Sequence, residues 1–188
     1  DIECVIVATS TPDYIMVSTA SIVCEKAGLT NAWGVDSNAA CSGFLYALTL
    51  GSSLIESGRY KNVIVIGADK NSAIINYTDR NTCILFGDGA GAVLLEQTTA
   101  EEGLIDNVFK IDGSGKEQLI VQAGGSKFPS SLDTVNNKLN YISQNGRVVF
   151  KAAIEGMTQT CNQVLERNEL TSADIDWLIP HQANLRII

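Results

Sequence analysis

Cys41 and His181 are the two side chains of this sequence best suited to chemistry. Cys41 lies within NAACSGF, where an apolar run gives way to a helical pattern. His181 is the only histidine and lies within IPHQAN, just past another apolar run. A thiol at a helix start ionises readily, because the unpaired N–H groups there favour negative charge. An imidazole moves protons and donates hydrogen bonds near neutral pH. The pair points to acyl transfer through a thioester on Cys41. Its neighbours Ala39, Ala40, Ser42 and Gly43 are all small, so a substrate carbonyl could reach the sulfur and a local N–H that holds an oxyanion. The competing account is a packed strand-to-helix junction with an inert thiol and a structural histidine.

Other motifs carry less. GDGAGA (87–92) has the look of a dinucleotide loop, but that loop needs a following helix, and VLLE reads as a strand. Close backbone packing explains those glycines better. No Walker loop and no His/Cys metal spacing is present. Arg80, Arg147, Lys151 and Arg186 are candidates for one basic site, with ordinary solvated charge as the alternative.

The elements that must position Cys41 and His181 follow from the apolar pattern. Ile2 to Ala8 predicts a buried strand, and 9–13 a loop. Ser18 to Ala27 predicts a helix stopped by Gly28. A strand is expected over 32–37, and a helix from Cys41 to Ser57 that is apolar on most sides and hence buried. Further strands are expected at 62–68, 83–86, 92–96, 104–111 and 175–179, the last stopped by Pro180. Residues 112–140 read as irregular with a short helix, and 146–168 as a long helix. Strands alternating with helices predict an α/β fold with mainly parallel pairing at the front.

Composition narrows the classes. The chain has 188 residues, 45% hydrophobic and 18% charged, which fits a buried globular core. A net charge of −8 argues against a general nucleic-acid binder. No apolar run is long enough for a membrane span, and no leader is read at the front. Five cysteines without metal spacing suggest reduced thiols in a cytoplasmic protein, four of them in apolar segments as small buried hydrophobes. The chain starts on Asp1 and ends within NLRII, which reads as the opening of a helix. Both suggest an internal segment of a longer protein.

Several stretches match a known family in the family's own order: ATSTPDY, DSNAACSGFLYAL, VIVIGAD, TDRNTCILFGDGAGAVLLE, NGRVVFK and DIDWLIPHQANLRII. The chain resembles the central part of β-ketoacyl-[acyl-carrier-protein] synthase III, the condensing enzyme that starts bacterial type II fatty acid synthesis. The resemblance implies the thiolase-like α/β fold, layered αβαβα, with two similar halves. Residues 1–100 would be the later part of the first half and 101–188 the early part of the second. It implies an acyltransferase that condenses an acetyl or short branched acyl-CoA with malonyl-acyl carrier protein, acting as a homodimer. Metal and redox cofactors are not expected, coenzyme A arriving as a substrate thioester.

By position, Cys41 resembles the acyl-accepting nucleophile and His181 the active-site histidine. Arg80 resembles the arginine that packs on the adenine of coenzyme A. Gly146, Phe150, Ala183 and Asn184 match the pantetheine channel, and Lys151 and Arg186 the surface that receives the acidic carrier protein. A local basic patch would let an acidic chain dock an acidic partner. The family's catalytic asparagine, the glycine-rich oxyanion loop, and an early tryptophan and arginine for coenzyme A have no counterpart in this sequence. Met16 and Val17 stand where members often read Phe-Pro, so Met16 would enter the acyl pocket at the dimer interface. Rival expectations are a thiolase-fold ketosynthase or acyltransferase of secondary metabolism, and an inactive truncated segment.

Overall fold

Val and Ile fill the runs near the front, residues that suit a sheet covered on both faces. In the computed structural model, which describes residues 1–100 and 102–186, these runs form β1 (Cys4–Ala8), β2 (Trp33–Ser37) and β3 (Asn62–Lys70). β1 lies between β2 and β3 and pairs parallel with both. β4 (Asp88–Glu96) completes the order β2-β1-β3-β4 and runs antiparallel to β3. Mainly parallel pairing at the front is therefore what forms.

The chain divides into two compact units, one of residues 1–70 with 88–105 and the other of 71–87 with 106–188. In the first unit β1 is wholly buried and its side chains alternate between two helices. Val5 and Val7 cluster with Ala20 of α1 (Thr19–Ala27). Cys4, Ile6 and Ala8 cluster with Ala47 of α2 (Gly43–Glu56), together with Val63 and Val65. Each such Val or Ile contributes about 1.5–3 kcal/mol when fully buried. α1 starts where the Ser18 hydroxyl accepts the Ser21 N–H at 3.2 Å, and stops at Gly28, whose φ of 67° suits a residue without a Cβ.

In the second unit, α4 (Gly146–Arg167) is the long helix the pattern predicts. Its C-terminal end is held by Asp106, which pairs with Arg167 at 2.9 Å and accepts from Asn168 Nδ2 at 2.9 Å. A short helix, α3 (Leu132–Asn136), opens with a Ser131–Thr134 capping box. It lies between the two-residue strands β5 (Leu119–Ile120) and β6 (Ser143–Gln144), which pair antiparallel. The Ile142 N–H donates to the Ile74 carbonyl at 2.8 Å and ties 71–87 into this unit.

Several expectations give way. The helix expected from Cys41 begins at Gly43, after one 3-10 turn over Ala40–Ser42. It is not buried all round: Gly43, Ala47 and Gly51 are buried, while Leu45 and Leu50 are half exposed. One flat face suffices because its glycines let it lie directly on the sheet. Residues 83–86 form no strand, and GDGAGA is strand from Asp88 onward, since β3 offers β4 an unbroken nine-residue partner from Lys70↔Asp88 to Asn62↔Glu96. Nor are those glycines tightly packed: a Cβ on Gly87, Gly89 or Gly91 would meet nothing within 4 Å among the described residues.

Residues 104–111 and 175–179 are not strands. No described strand pairs with either, and Trp177, Leu178 and Ile179 stand 85%, 71% and 85% exposed. An apolar run becomes a strand only when a neighbour completes its ladder. Of the cysteines only Cys4 is buried, where desolvation pushes its thiol up to about 11; all five are free. The helix read at NLRII falls partly on 187–188, outside the described residues. Among the described residues, no helix is long and apolar enough to cross a membrane.

Candidate active site

β1, β2 and β3 all end at the same edge of the sheet, where open α/β folds place ligands. Cys41 lies just beyond β2 at this edge, in the turn that enters α2. Ala40 before it has φ 46°, in the left-handed region that a Cβ disfavours. Such a bend lifts the following residue out of the strand line. Backbone strain of this kind collects at functional sites and costs about 1–3 kcal/mol.

The residue is solvent-exposed, yet the atoms crowding its sulfur still act. Burial pushes the Cys41 thiol above its ordinary value. Its own backbone N–H pulls the other way, and the negative charge of Asp69 adds to the rise. The expected lowering by a helix start is outweighed, because Cys41 precedes Ser42, the N-cap of α2. Its open exposure limits how far desolvation can act.

Two carboxylates at this edge have no sequence motif and were not among the expected site residues. Asp69, on β3, accepts from Ser10 N–H at 2.7 Å, Thr11 Oγ1 at 3.2 Å and Thr9 Oγ1 at 3.3 Å. Asp36, on β2, accepts the N–H groups of Thr19 at 2.6 Å and Ala20 at 2.8 Å. Asn38 Oδ1 accepts from Ser10 Oγ at 3.1 Å and, weakly, from the Ala40 N–H at 3.4 Å. A groove of about 320 Å³ opens here, lined by Thr9, Pro12, Asp36, Asn38 and the run from Tyr14 to Ser18. Met16 lines it and is 93% exposed. The signal available in sequence was a lone acid near the end of each apolar strand.

The remaining expected residues lie in the second unit. Arg80 is exposed in a turn braced by Thr82 Oγ1, which donates to Asp79 at 2.8 Å. Gly146 opens α4, and Phe150 lies half-buried one turn on. Lys151 is exposed and meets Glu155 at 3.7 Å, a surface pair worth about 0.5 kcal/mol at most. His181, Ala183 and Asn184 are exposed in irregular chain. Asn184 Oδ1 accepts the Arg186 N–H at 2.9 Å, which fixes a local bend. Within this unit Gly146, Phe150 and Lys151 share one helix start. Among the described residues no His, Cys, Asp and Glu cluster is placed to hold a metal.

Residues 35–113 match the family described as 3-oxoacyl-[acyl-carrier-protein] synthase III. The whole chain is 53% identical over 188 residues to a β-ketoacyl-[acyl-carrier-protein] synthase III of Bacteroides thetaiotaomicron. Along its whole length the chain is similar to 3-oxoacyl-[acyl-carrier-protein] synthase III enzymes. It spans 56% of the length of that Bacteroides relative. Among solved structures it is similar to the 3-oxoacyl-[acyl-carrier-protein] synthase III of Aquifex aeolicus, with a TM-score of 0.87 and 37% identity, covering all of this chain and 56% of that one. It is also similar to the priming β-ketosynthase of a polyketide pathway, with a TM-score of 0.86 and 32% identity, covering 99% of this chain and 55% of that one. The α/β fold of this synthase family is therefore the thiolase-like fold expected from the sequence.

Proposed function

We propose that the protein carrying this chain condenses an acyl-CoA starter with malonyl-acyl carrier protein, by way of a Cys41 acyl-enzyme. The observation that supports it most is the placement of Cys41. A small-flanked thiol stands in a strained turn at the ligand edge of a parallel sheet, in a chain 53% identical to a named synthase III.

The Cys41 thiolate attacks the acyl-CoA carbonyl and expels coenzyme A as its thiolate. The malonyl thioester then loses carbon dioxide, and the electron pair left behind forms an enolate. Its oxygen is held by hydrogen bonds, with His181 as one donor. The enolate carbon attacks the Cys41 acyl group, which leaves its sulfur and gives a 3-ketoacyl carrier protein. Arg80 holds the adenine end of coenzyme A, while Gly146, Phe150, Ala183 and Asn184 line the pantetheine path. Lys151 and Arg186 offer positive charge to the acidic carrier protein, and Met16 contributes to the acyl pocket of a homodimer.

A second reading, a starter-unit ketosynthase of secondary metabolism, has the 32% identity to the polyketide priming enzyme in its favour. The two share Cys41 chemistry and differ in acceptor. The natural protein, assayed with malonyl carrier proteins of both pathway types, is expected to extend the fatty-acid one faster. Faster turnover with the polyketide carrier would favour the second reading, and turnover with neither would refute both.

A further inference from the structure

Arg80 stands at the joint of two consecutive turns, and a side chain ties each of them. In the first, Asn76 Oδ1 accepts the Thr78 N–H at 3.1 Å and the Thr78 hydroxyl at 2.8 Å. The Asp79 N–H donates to the Asn76 carbonyl at 2.9 Å. In the second, one Asp79 oxygen accepts the Asn81 N–H at 3.0 Å and the other accepts Thr82 Oγ1 at 2.8 Å. Thr82 is only 1% exposed, so this bond anchors the turn to the interior of its unit. The Cys83 N–H closes the turn on the Asp79 carbonyl at 3.0 Å. The Asp79 carboxyl is held below its ordinary value, first by the Asn81 N–H, then by the Thr82 hydroxyl, with the charge of Lys138 adding.

A further tie comes from outside the turns. Lys138 follows α3 with φ 59°, a left-handed bend that a Cβ disfavours by about 1–2 kcal/mol. Its Nζ donates to Thr78 Oγ1 at 3.1 Å. The Ile142 N–H bond to the Ile74 carbonyl joins the same two segments. Between these ties, the Arg80 side chain has no hydrogen bond or ion pair among the described residues. Asp79 is the carboxylate next to it in sequence, yet both Asp79 oxygens are taken by the turn. The guanidinium is left open, and a planar, unpaired guanidinium suits an aromatic ring or a phosphate.

We infer that Asp79 is a positioning residue for the nucleotide end of the acyl-CoA: it fixes the turn that presents Arg80 and keeps its own charge off the guanidinium. Lys138 supports it by holding Thr78. The inference rests on the reading of Arg80 as the adenine contact. Asp79 acts through Arg80 and touches neither the thioester nor the acyl chain. Its loss weakens recognition of acyl-CoA relative to a thioester that lacks the nucleotide.

The test compares two acetyl donors on the natural protein, acetyl-CoA and S-acetyl-pantetheine. Acetyl transfer to the protein gives kcat/KM for each, and the readout is their ratio. Asp79→Ala is expected to lower that ratio about fivefold, the size of one lost hydrogen bond. Asp79→Asn keeps an acceptor for the Asn81 N–H and restores most of the parent ratio. Thr82→Val keeps the side chain's shape, frees one Asp79 oxygen and lowers the ratio as well. It decides the matter should Asp79→Ala fail to fold. Thr78→Val removes the hydroxyl that Lys138 holds, keeps the lysine's charge, and moves the ratio the same way by less. A residue needed only for stability would lower both rates alike and leave the ratio in place. Arg80→Ala separates the two readings. A ratio that falls in Arg80→Ala but not in the Asp79 and Thr82 variants overturns this inference alone. A ratio unchanged in Arg80→Ala overturns the adenine reading of Arg80 and this inference with it.

Discussion

Gly51 of α2 lies so close to Val65 of β3 that a Cβ built on it would stand 3.0 Å from Val65 Cγ2. Leu95 Cδ1 would be nearer still, at 2.8 Å. This contact seats the helix that follows Cys41 flat on the sheet.

The first prediction follows from it. In an open helix, Gly→Ala gains about 1 kcal/mol. At Gly51 two side chains already occupy the space, and overpacking of this kind costs about 1–3 kcal/mol. Gly51→Ala is expected to lower the urea midpoint of this chain, and Gly51→Val to lower it further. A raised midpoint for Gly51→Ala would show that α2 does not sit on β3 and β4 as described.

Cys41 titration provides the second. Burial pushes the thiol up, and Asp69 raises it further. A thiol raised above its ordinary value is less ionised at neutral pH, so the rate of iodoacetamide alkylation should climb only above the usual thiol range, near 8.5. Asp69→Asn removes a negative charge and should move the alkylation profile to lower pH. Peptide mapping after timed alkylation measures both. A profile that midpoints below the ordinary value in the unaltered chain would contradict the described surroundings.

Acid stability of the second unit gives the third. The Asp106 carboxyl is held below its ordinary value, chiefly by the Asn168 side chain, then by the Asn107 N–H and Arg167. A lowered carboxylate value adds stability above the unfolded value of about 3.9, lost as pH falls through the folded value. Asp106→Asn should therefore lower stability at neutral pH and flatten its decline in acid. Urea midpoints at several pH values, read for the parent and the variant, measure this. Parallel curves would show that Asp106 does not carry the effect.

His181 separates the two half-reactions. His181→Ala in the natural protein is expected to keep acyl transfer to Cys41 while slowing 3-ketoacyl carrier protein formation by about 10²-fold or more. Stopped-time labelling alongside product analysis distinguishes them. Equal loss in both steps would place His181 in thiol activation instead.

The front of the fold was legible because it is self-contained. β1, α1, β2 and β3 each carry a complete local signal, and Ser18 and Gly28 mark the ends of α1. The runs at 104–111 and 175–179 are also rich in apolar residues, but no described strand pairs with either, and composition does not reveal a missing neighbour. GDGAGA was hard to read for the reverse reason. Its glycines argue for a turn, and the unbroken register with β3 makes most of it a strand. Cys41 and His181 stood out by residue type. Asp36 and Asp69 did not, since a single acid acquires its role only when folding brings Thr19 or Ser10 to it.

The measurement that bears most directly on the account is mass spectrometry of the natural protein after mixing with acetyl-CoA. One acetyl group is expected on the peptide containing Cys41, and none on Cys41→Ala protein. Acetyl found on a different peptide, or retained by the Cys41→Ala variant, would contradict the assignment of Cys41 as the carrier of the acyl chain.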